Sequence, residues 1–441
     1  MAEKFDLILK GGTLVNHDGI GTGDVGVRAG RIAALGNLDR AAAAEIVDCK
    51  GLHVLPGVID SQVHFREPGL EHKEDLATGS LAAVAGGVTS VFEMPNTKPL
   101  TTTPQALADK MRRARHRMFC DFAFYVGATR ETVAEIPLLE RLPGSAGMKI
   151  FMGSSTGDLL VDDEPTLSRI IGTIRRRAAF HSEDEERLKA RMGLRVKGDA
   201  RSHPVWRDEE AAMISTRRLV RLAEQHRARV HVLHISTAEE IAFLRDHRSY
   251  ASVEVTPHHL TLVAPECYER LGSYAQMNPP VRDARHCAAI WEGIRQGIVD
   301  VLGSDHAPHT REEKDHPYPD SHSGMTGVQT LVPLMLDHVN AGKLSLQRLV
   351  DLTSHGPQRL FNIAGKGRMM SGWDADFTIV DLKRTAKITD AWIRSRAAWT
   401  PYDGQRVTGW PVGTIIRGRR VMWEDHIDAQ AMGKPVRFME G

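Results

Sequence analysis

The order of hydrophobic and polar positions divides the chain into two kinds of segment. Residues 1–55 and 375–422 consist of short apolar runs separated by glycine-containing turns, as in FDLILKGGTLV and ADFTIVDL. Short strands with turns between them indicate an all-β unit. Because two unrelated flaps would bury their apolar faces poorly, the sequence predicts one small β-sandwich built from both ends of the chain.

Between these ends, apolar runs of strand length alternate with stretches that have helical signals. The candidate strands lie at residues 54–64, 89–94, 122–126, 147–152, 178–181, 229–234, 252–256 and 299–305. Helix boundaries are indicated by an N-cap with a following proline, a capping-box spacing and a glycine stop, at Thr103–Pro104, Ser236–Glu239 and Gly86–Gly87. About eight such units predict an α/β fold with a (β/α)8 TIM barrel.

An open, doubly wound sheet is the structural alternative to the barrel. No glycine-rich phosphate turn follows the first candidate strand, which favours the barrel. The predicted domains are therefore a barrel over residues 56–367 and a small β-sandwich over residues 1–55 and 368–441.

Composition and charge narrow the possible partners. The 441 residues are 41% hydrophobic and 26% charged, with a net charge of +1, as expected for a globular protein. This balance gives no general reason to expect nucleic acid or an anionic membrane as a partner. The basic runs at 112–115 and 175–177 fall in predicted helices and are interpreted as solvated faces.

Targeting and redox signals favour the cytoplasm. The first residues lack the apolar region and cleavage site of a signal peptide, and no apolar run reaches membrane-spanning length. The four cysteines have no CxxC spacing, which indicates a reducing compartment and argues against a disulfide framework or a cysteine-based zinc site.

Candidate chemistry collects where the predicted strands end. In a TIM barrel the active site lies at the C-terminal ends of the strands. A single histidine there is more often structural, but here several residues of ligand type end separate strands, namely His64, His181, His234 and Asp305. Imidazoles with a carboxylate suit zinc and similar divalent ions. The sequence therefore predicts a metal site.

Lys149 lies within the fourth candidate strand and needs its own explanation. An ammonium group cannot ligate a cation, but burial beside positive charge favours the neutral amine. A neutral amine can add carbon dioxide and give a carbamate, which could bridge two metals about 3.5–4 Å apart. The alternative is a lysine of the barrel core that pairs with a carboxylate.

A series of motifs resembles a known family. In chain order they are HFREPG, FEMPNT, GMKIFM, AFHSEDE, HVLHIS, EVTPHHL, MNPPVR and GSDHAPHT. Together they resemble the cyclic amidohydrolases, and more closely the dihydroorotases that carry a REPG motif, over about residues 5–420. The resemblance implies a metal-dependent barrel, zinc as one or two ions, and hydrolysis or closure of a cyclic amide.

The resemblance also implies roles for individual residues. The metal ligands would be His64, Lys149 as a carboxylated bridge, His181, His234 and Asp305. The substrate contacts would be Arg66, Asn96, Asn278, His309 and the backbone around Ser323 and Gly324. A bound metal lowers the pKa of water, and Asp305 could take its proton and return it to the leaving nitrogen.

Arg66 is the residue that discriminates between substrates. A guanidinium beside the metal offers two parallel donors to a carboxylate, which dihydroorotate carries and hydantoins, dihydrouracil and allantoin do not. An ion pair of Arg66 with Glu67 or Glu93 is the structural alternative. A hydantoinase- or allantoinase-like hydrolase is accordingly the alternative enzyme.

Two positions depart from the family pattern. Gln62 stands where the family usually has the first histidine of an HxH motif, and Gln329 stands where a glutamate is usual. An amide oxygen is a poorer zinc ligand than imidazole, so Gln62 is predicted to weaken one of two metal positions.

A catalytically silent homologue that acts as a structural partner of aspartate transcarbamoylase is the hypothesis from another class. Activity is favoured by the site residues that remain, namely Arg66, Asn96, Lys149, His181, His234, Asp305 and His309. The resemblance implies a homodimer as well.

Overall fold

The computed structural model describes residues 4–154, 159–428 and 430–439. Five strands come before the barrel: β1 (Phe5–Asn16), β2 (Gly19–Arg28), β3 (Arg31–Gly36), β4 (Ala43–Asp48) and β5 (His53–Pro56). The barrel strands are β6 (Val58–Val63), β7 (Val88–Glu93), β8 (Asp121–Gly127), β9 (Ser145–Phe151), β10 (Ala178–His181), β11 (Val230–Val232), β12 (Ala251–Val255) and β13 (Val301–Leu302). The last strands are β14 (Phe377–Lys387), β15 (Arg406–Ile416), β16 (Arg419–Trp423) and β17 (His426–Ile427).

The strands β6–β13 form the predicted barrel. They pair side by side in chain order as one eight-stranded sheet, and each neighbouring pair is parallel. The first and last strands meet where the His64 amide donates to the His306 carbonyl at 2.7 Å. The Ser304 amide also donates to the Asp60 carboxylate at 2.9 Å. These bonds bring the ring close to closure, which confirms the TIM barrel.

The ends of the chain share a second sheet, as predicted. Its nine strands follow the order β17-β16-β15-β14-β5-β1-β2-β3, with β4 paired to β1. The two halves of the chain join where β5 pairs antiparallel with β14, so that Val54 lies opposite Ile379. Both side chains are fully buried in a core drawn from both ends. The domain boundaries at 55/56 and 367/368 stay a prediction.

Helices follow most barrel strands and cover the outside of the ring. They are α1 (Leu76–Ala85), α2 (Pro104–Ala114), α3 (Ile136–Leu139), α4 (Glu164–Thr173), α5 (Glu185–Ala190), α6 (His203–Trp206), α7 (Glu209–His226), α8 (Ala238–Arg245), α9 (Pro257–Thr261), α10 (Glu266–Leu271), α11 (Ala284–Arg295), α12 (Arg311–Asp315), α13 (Leu331–Asn340), α14 (Leu346–Val350) and α15 (Gly356–Phe361). Within the described ranges, none of them combines the length and apolar composition needed to cross a membrane.

Two of the three predicted helix boundaries are confirmed and one is wrong. Thr103 caps α2 by accepting a hydrogen bond from the Ala106 amide, and Gly86 ends α1. The N-cap of α8 is Thr237 and not Ser236, because the Thr237 hydroxyl accepts from the Glu240 amide. Both residues offer a hydroxyl followed three positions later by glutamate, so sequence spacing alone does not distinguish them.

The prediction for the second basic run is also wrong. Arg112 and Arg113 lie in α2, but residues 175–177 lie between the end of α4 and the start of β10. Ile174 leaves the helix with an extended backbone, and the buried Glu140 carboxylate accepts the amides of Arg175 and Arg176. This loop places its three arginines at the N-terminal ends of the barrel strands, directly before β10.

A buried ion cluster connects the barrel to the terminal sheet. The Lys366 ammonium donates to Asp121 at the start of β8, at 2.7 Å, and to Asp376 beside β14. Arg417, which follows β15, also pairs with Asp121. Although burial lowers the pKa of Lys366, the two carboxylates raise it above its usual value.

We expect Lys366→Met to lower the free energy of unfolding by about 3–5 kcal/mol, because it leaves buried carboxylates without their cation. Chemical denaturation followed by tryptophan fluorescence measures this change. The control is Lys383→Met, which removes an exposed lysine of β14 and should change the free energy by less than about 0.5 kcal/mol. Equal effects of the two substitutions would contradict a structural role for the cluster.

Candidate active site

The predicted site residues converge at the C-terminal ends of the barrel strands. One narrow cavity there is lined by Gln62, His64, Arg66, Lys149, Phe151, His181, His234, Asn278, Asp305, Ala307, Ser323 and Gly324. Asn96 and His309 lie directly behind this lining. The Asn96 Oδ1 atom is 2.8 Å from His64 Nδ1, and His309 Nε2 is 3.3 Å from an Arg66 nitrogen. The structure thus brings all the predicted residues together.

One side of the cavity is formed by His64, Asp305 and Gln62. Burial lowers the pKa of His64, so the ring has one proton. That proton has two acceptors, Asn96 Oδ1 at 2.8 Å and Asp305 Oδ1 at 3.2 Å. When the proton is directed to Asn96, the Nε2 lone pair faces a carboxylate oxygen of Asp305. These two acceptor atoms repel each other, and a cation between them would remove the repulsion.

The opposite side is formed by His181 and His234. The His181 Nε2 atom is 2.8 Å from a Glu183 oxygen, and this carboxylate can only accept. Nε2 therefore carries the proton, and the Nδ1 lone pair faces His234 Nε2 at 3.1 Å. Arg207 in turn pairs with Glu183. The chain Arg207–Glu183–His181 fixes the orientation and tautomer of the imidazole.

Lys149 lies at the base of the cavity without a carboxylate partner in hydrogen-bond range among the described residues. Burial lowers its pKa to about 7, against the opposing effect of Asp305 and Glu254. Its Nζ atom is 4.3 Å from the centre of the Phe151 ring. A lysine with this pKa is partly neutral near pH 7, which the addition of carbon dioxide requires.

Three site residues have left-handed backbone. The φ angles are 64° for Arg66, 37° for His234 and 47° for Asp305. Residues other than glycine seldom adopt positive φ, and in this region the strain of order 1–3 kcal/mol tends to occur at functional sites. The backbone turns out of the strand at these points and directs the three side chains into the cavity.

The donor set fits a divalent cation. The imidazoles are kept neutral by burial, which lowers the pKa of His64, His181 and His234. The 3.1 Å between His181 Nδ1 and His234 Nε2 is close to the separation of about 3.3 Å between two nitrogen ligands of tetrahedral zinc. The Gln62 Oε1 atom is buried without a hydrogen-bond partner among the described residues.

The positively charged side chain of Arg66 lies beside this donor set. The Arg66 guanidinium is 1% exposed, and burial lowers its pKa to only about 10, so it stays charged. Its Nε donates to the Pro308 carbonyl at 3.1 Å. Neither of the acidic neighbours proposed from the sequence forms an ion pair with it, because Glu67 pairs with Arg117 and Glu93 with Lys110. The guanidinium is therefore available to a ligand.

Lys73 fixes the tautomer of His309. The Lys73 ammonium, which can only donate, is 3.2 Å from His309 Nδ1 and 2.8 Å from Glu313. Burial keeps His309 neutral by lowering its pKa, so Nε2 carries the only proton, and it donates to the Ser323 carbonyl at 3.0 Å. The Nε2–H group and the Arg66 fork are thus two neighbouring donors.

The Ser323–Gly324 loop is held from behind by buried polar side chains. The Gln276 amide group donates to Ser323 Oγ at 2.9 Å, and Lys314 Nζ donates to the Gly324 carbonyl at 3.1 Å. Burial lowers the pKa of Lys314 to about 7. On the neighbouring segment, the side-chain Oδ1 atom of Asn278 is 3.0 Å from His203 Nε2.

Other histidines have separate surroundings. His258 is hydrogen-bonded to the Tyr402 hydroxyl at 2.8 Å, and His259 to the Pro279 carbonyl at 3.1 Å, so both have partners outside the donor set. Among the described residues, His309, Glu313 and His322 also come close enough to share a metal. The Lys73 ammonium already lies against Glu313 and His309, which disfavours a second cation there.

Sequence reasoning missed the supporting residues Lys73, Glu183, Arg207, Glu313 and Lys314. Glu183 follows His181 by two positions in AFHSEDE, and that spacing is the only signal that could have pointed to it. Arg207 lies in the insertion 187–210, which the sequence indicates only as a loop and helix over the barrel. Its contact with Glu183 gives this insertion a role in the site.

Comparison with known proteins identifies relatives over the whole chain. The amidohydrolase family matches residues 53–421. A dihydroorotase of Methanosarcina acetivorans is 34% identical, with 99% of this chain and 96% of the relative covered. An L-hydantoinase of Paenarthrobacter aurescens is 33% identical, with 94% of each covered. The solved L-hydantoinase (dihydropyrimidinase) from Arthrobacter aurescens has a TM-score of 0.93 and 30% identity, with 98% of this chain and 99% of that chain covered.

Proposed function

The chain belongs to the amidohydrolase family, and on that premise we propose that its barrel site opens and closes a cyclic amide ring, with dihydroorotate and N-carbamoyl-L-aspartate as the substrate pair of pyrimidine biosynthesis. The observation that carries the choice of substrate is the charged, buried Arg66 beside the metal-binding donor set. Several relatives at 33–36% identity are named dihydroorotases, which supports the same substrate.

The substrate carboxylate would bind the N–H donors of Arg66 and His309. The Arg66 fork offers two parallel N–H groups, and the His309 Nε2–H group lies 3.3 Å from it. Asn278 and the backbone at Ser323 and Gly324 line the same end of the cavity and would contact the ring amide. A ring without a carboxylate would leave the guanidinium buried without an anion.

A divalent ion held by His64, His181, His234, Asp305 and a carboxylated Lys149 would lower the pKa of water and polarise the amide carbonyl. Asp305 receives the proton of the attacking water and returns it to the leaving nitrogen. Gln62 donates to Asp305 Oδ1 at 2.9 Å and so orients the carboxylate for this transfer. The ring nitrogen then leaves as a neutral amide.

We propose zinc as the metal and a centre whose two positions have unequal affinity. Gln62 directs its amide NH2 group to Asp305, and its amide oxygen is a poorer zinc ligand than the imidazole usual at this position. We expect Gln62→His to raise the affinity of the weaker position by about 10–100-fold, because imidazole is the better ligand. Metal analysis after dialysis against graded chelator measures this; an unchanged metal content would contradict the role given to Gln62.

We expect Lys73→Met to raise KM for dihydroorotate about tenfold and to change kcat by less than about threefold. Without the ammonium, Glu313 would draw the His309 proton to Nδ1, and Nε2 would present a lone pair to the substrate carboxylate. Steady-state kinetics measures both constants. Lys98→Met, at an exposed neighbouring position, is the control. A fall in kcat at unchanged KM would contradict a positioning role.

Direct assay tests the proposed function against the hydantoinase alternative. The purified protein is offered dihydroorotate, hydantoin and dihydrouracil while zinc is titrated from chelated to excess. We expect zinc-dependent ring opening with a preference for dihydroorotate. Turnover of the uncharged rings alone would identify the protein as a hydantoinase-like hydrolase. The 33% identity to an L-hydantoinase is the observation that supports this second candidate.

The resemblance to dihydroorotases also supports a homodimer in the cytoplasm. Light scattering of the eluted protein would determine the oligomeric state. Aspartate transcarbamoylase is the partner that the resemblance suggests, and co-elution of the two purified proteins would test it. Loss of ring-opening activity is not expected when that partner is absent, because the chain itself supplies His64, Lys149, His181, His234 and Asp305.

A further inference from the structure

Seven arginines surround a cavity on the opposite face of the barrel from the active site. We call it the arginine pocket, and its cationic residues are Arg141, Arg175, Arg176, Arg177, Arg227, Arg229 and Arg359. The cavity has a volume of about 430 Å³, in the range of small-molecule sites. Neither the active site nor the proposed reaction uses any of these residues.

The position of the pocket follows from the topology. Arg141 precedes β9, residues 175–177 lead directly into β10, and Arg227 and Arg229 lead into β11. These are the N-terminal ends of three adjacent parallel strands, whereas His181 and His234 lie at the other ends of two of them. The pocket is therefore a separate site, and not an extension of the catalytic cavity.

The positive charge of the pocket exceeds the negative charge around it. The carboxylates next to it are Glu140, which binds backbone amides of the 175–177 loop, and Asp300, which pairs with Arg248 and Arg359. Among the described residues, no hydrogen bond or ion pair holds the guanidinium groups of Arg141, Arg227 and Arg229, and all three are exposed. Within the described part of the chain, these three guanidinium groups are therefore available to a ligand.

Arg177 lies at the inner wall of the pocket, where its positive charge is close to the charges of other arginines. Its guanidinium donates to the Val230 carbonyl at 3.0 Å and to Ser252 Oγ at 3.1 Å. Burial is the main cause that lowers the pKa of Arg177 to about 10; Asp300 opposes this shift, and the neighbouring Arg229 and Arg359 add to it. An anion in the cavity would relieve the repulsion among these cations.

We propose that the arginine pocket binds a small anion that carries two or more phosphate groups. Planar guanidinium forks match phosphate oxygens in pairs, and several forks around one cavity suit a ligand with several phosphates. The floor adds the apolar side chains of Ala146, Leu360 and Phe361, which could accept a nonpolar part of the same ligand. A nucleoside di- or triphosphate has both features.

The concave shape and local charge favour a small ligand over nucleic acid. A nucleic-acid surface needs basic residues spread along a groove, whereas the whole chain has a net charge of only +1. Here the seven arginines line one cavity and are not spread along a groove.

Calorimetric titration of the intact, metal-loaded protein with pyrophosphate at 150 mM salt tests the proposal. We expect saturable binding of one pyrophosphate per chain. Arg141→Gln with Arg229→Gln should weaken it at least tenfold and leave ring opening unchanged. The matched control, Arg40→Gln with Arg406→Gln, removes the same charge from exposed positions in the β3–β4 turn and on β15, and should change affinity less than twofold.

Three results would overturn the proposal. They are absence of saturable binding to the unmodified protein, equal weakening by both pairs of substitutions, and no weakening by the pocket pair. The last would show that pyrophosphate binds outside the arginine pocket.

Discussion

Arg66→Met is expected to lower kcat/KM for dihydroorotate by about 10²–10⁴-fold. The guanidinium is buried and charged, and removal of one partner from a desolvated charge pair costs about 3–5 kcal/mol. Hydantoin and dihydrouracil carry no carboxylate, so any turnover of them should change by no more than a few-fold. Steady-state kinetics with the three substrates measures this difference directly.

Arg66→Lys provides the matched control for charge. It keeps a cation but loses the two-pronged geometry, and we expect an intermediate loss of about tenfold. Thermal unfolding of both variants checks that the barrel remains intact. A similar loss of activity on charged and uncharged rings would show that Arg66 supports the fold or the metal, and would remove the main argument for dihydroorotate.

Asp305→Asn is expected to lower kcat by about 10²–10⁴-fold with little change in KM. The amide occupies the same space and can still meet Gln62, but it cannot accept the proton of the attacking water. Because Asp305 is also a proposed ligand, metal content is measured on the same samples. A normal kcat at full metal occupancy would assign the proton transfer to another residue.

Most of the fold could be predicted because the barrel strands are buried and rich in apolar residues. The predicted run at 122–126 lies within β8, Asp121–Gly127. The strands at 229–234 and 299–305 are much shorter than predicted, at Val230–Val232 and Val301–Leu302. Their last residues leave the ladder to turn His234 and Asp305 inward, and hydrophobic pattern does not record such a turn.

The sequence predicts which residues form the site, but not the hydrogen bonds that orient them. The ends of parallel strands meet in space, so His64, His181 and His234 were expected together. The partners that fix their tautomers come from distant loops, as Arg207 does for Glu183. Gln329 shows the same limit: its amide NH2 group donates to the Trp392 carbonyl at 2.8 Å, a bond that a glutamate could not form.

The terminal sheet imposes an order on synthesis and folding. One edge of β5 pairs with β1, and the other edge pairs with β14. This second edge therefore stays unpaired on the ribosome while the whole barrel, from Val58 to Leu302, is translated. Open strand edges pair readily with other chains, and nascent proteins fold from the N-terminus as they emerge. Translation that stops before Phe377 would therefore release a chain with an aggregation-prone edge, and this protein reaches its native state only after synthesis is nearly complete.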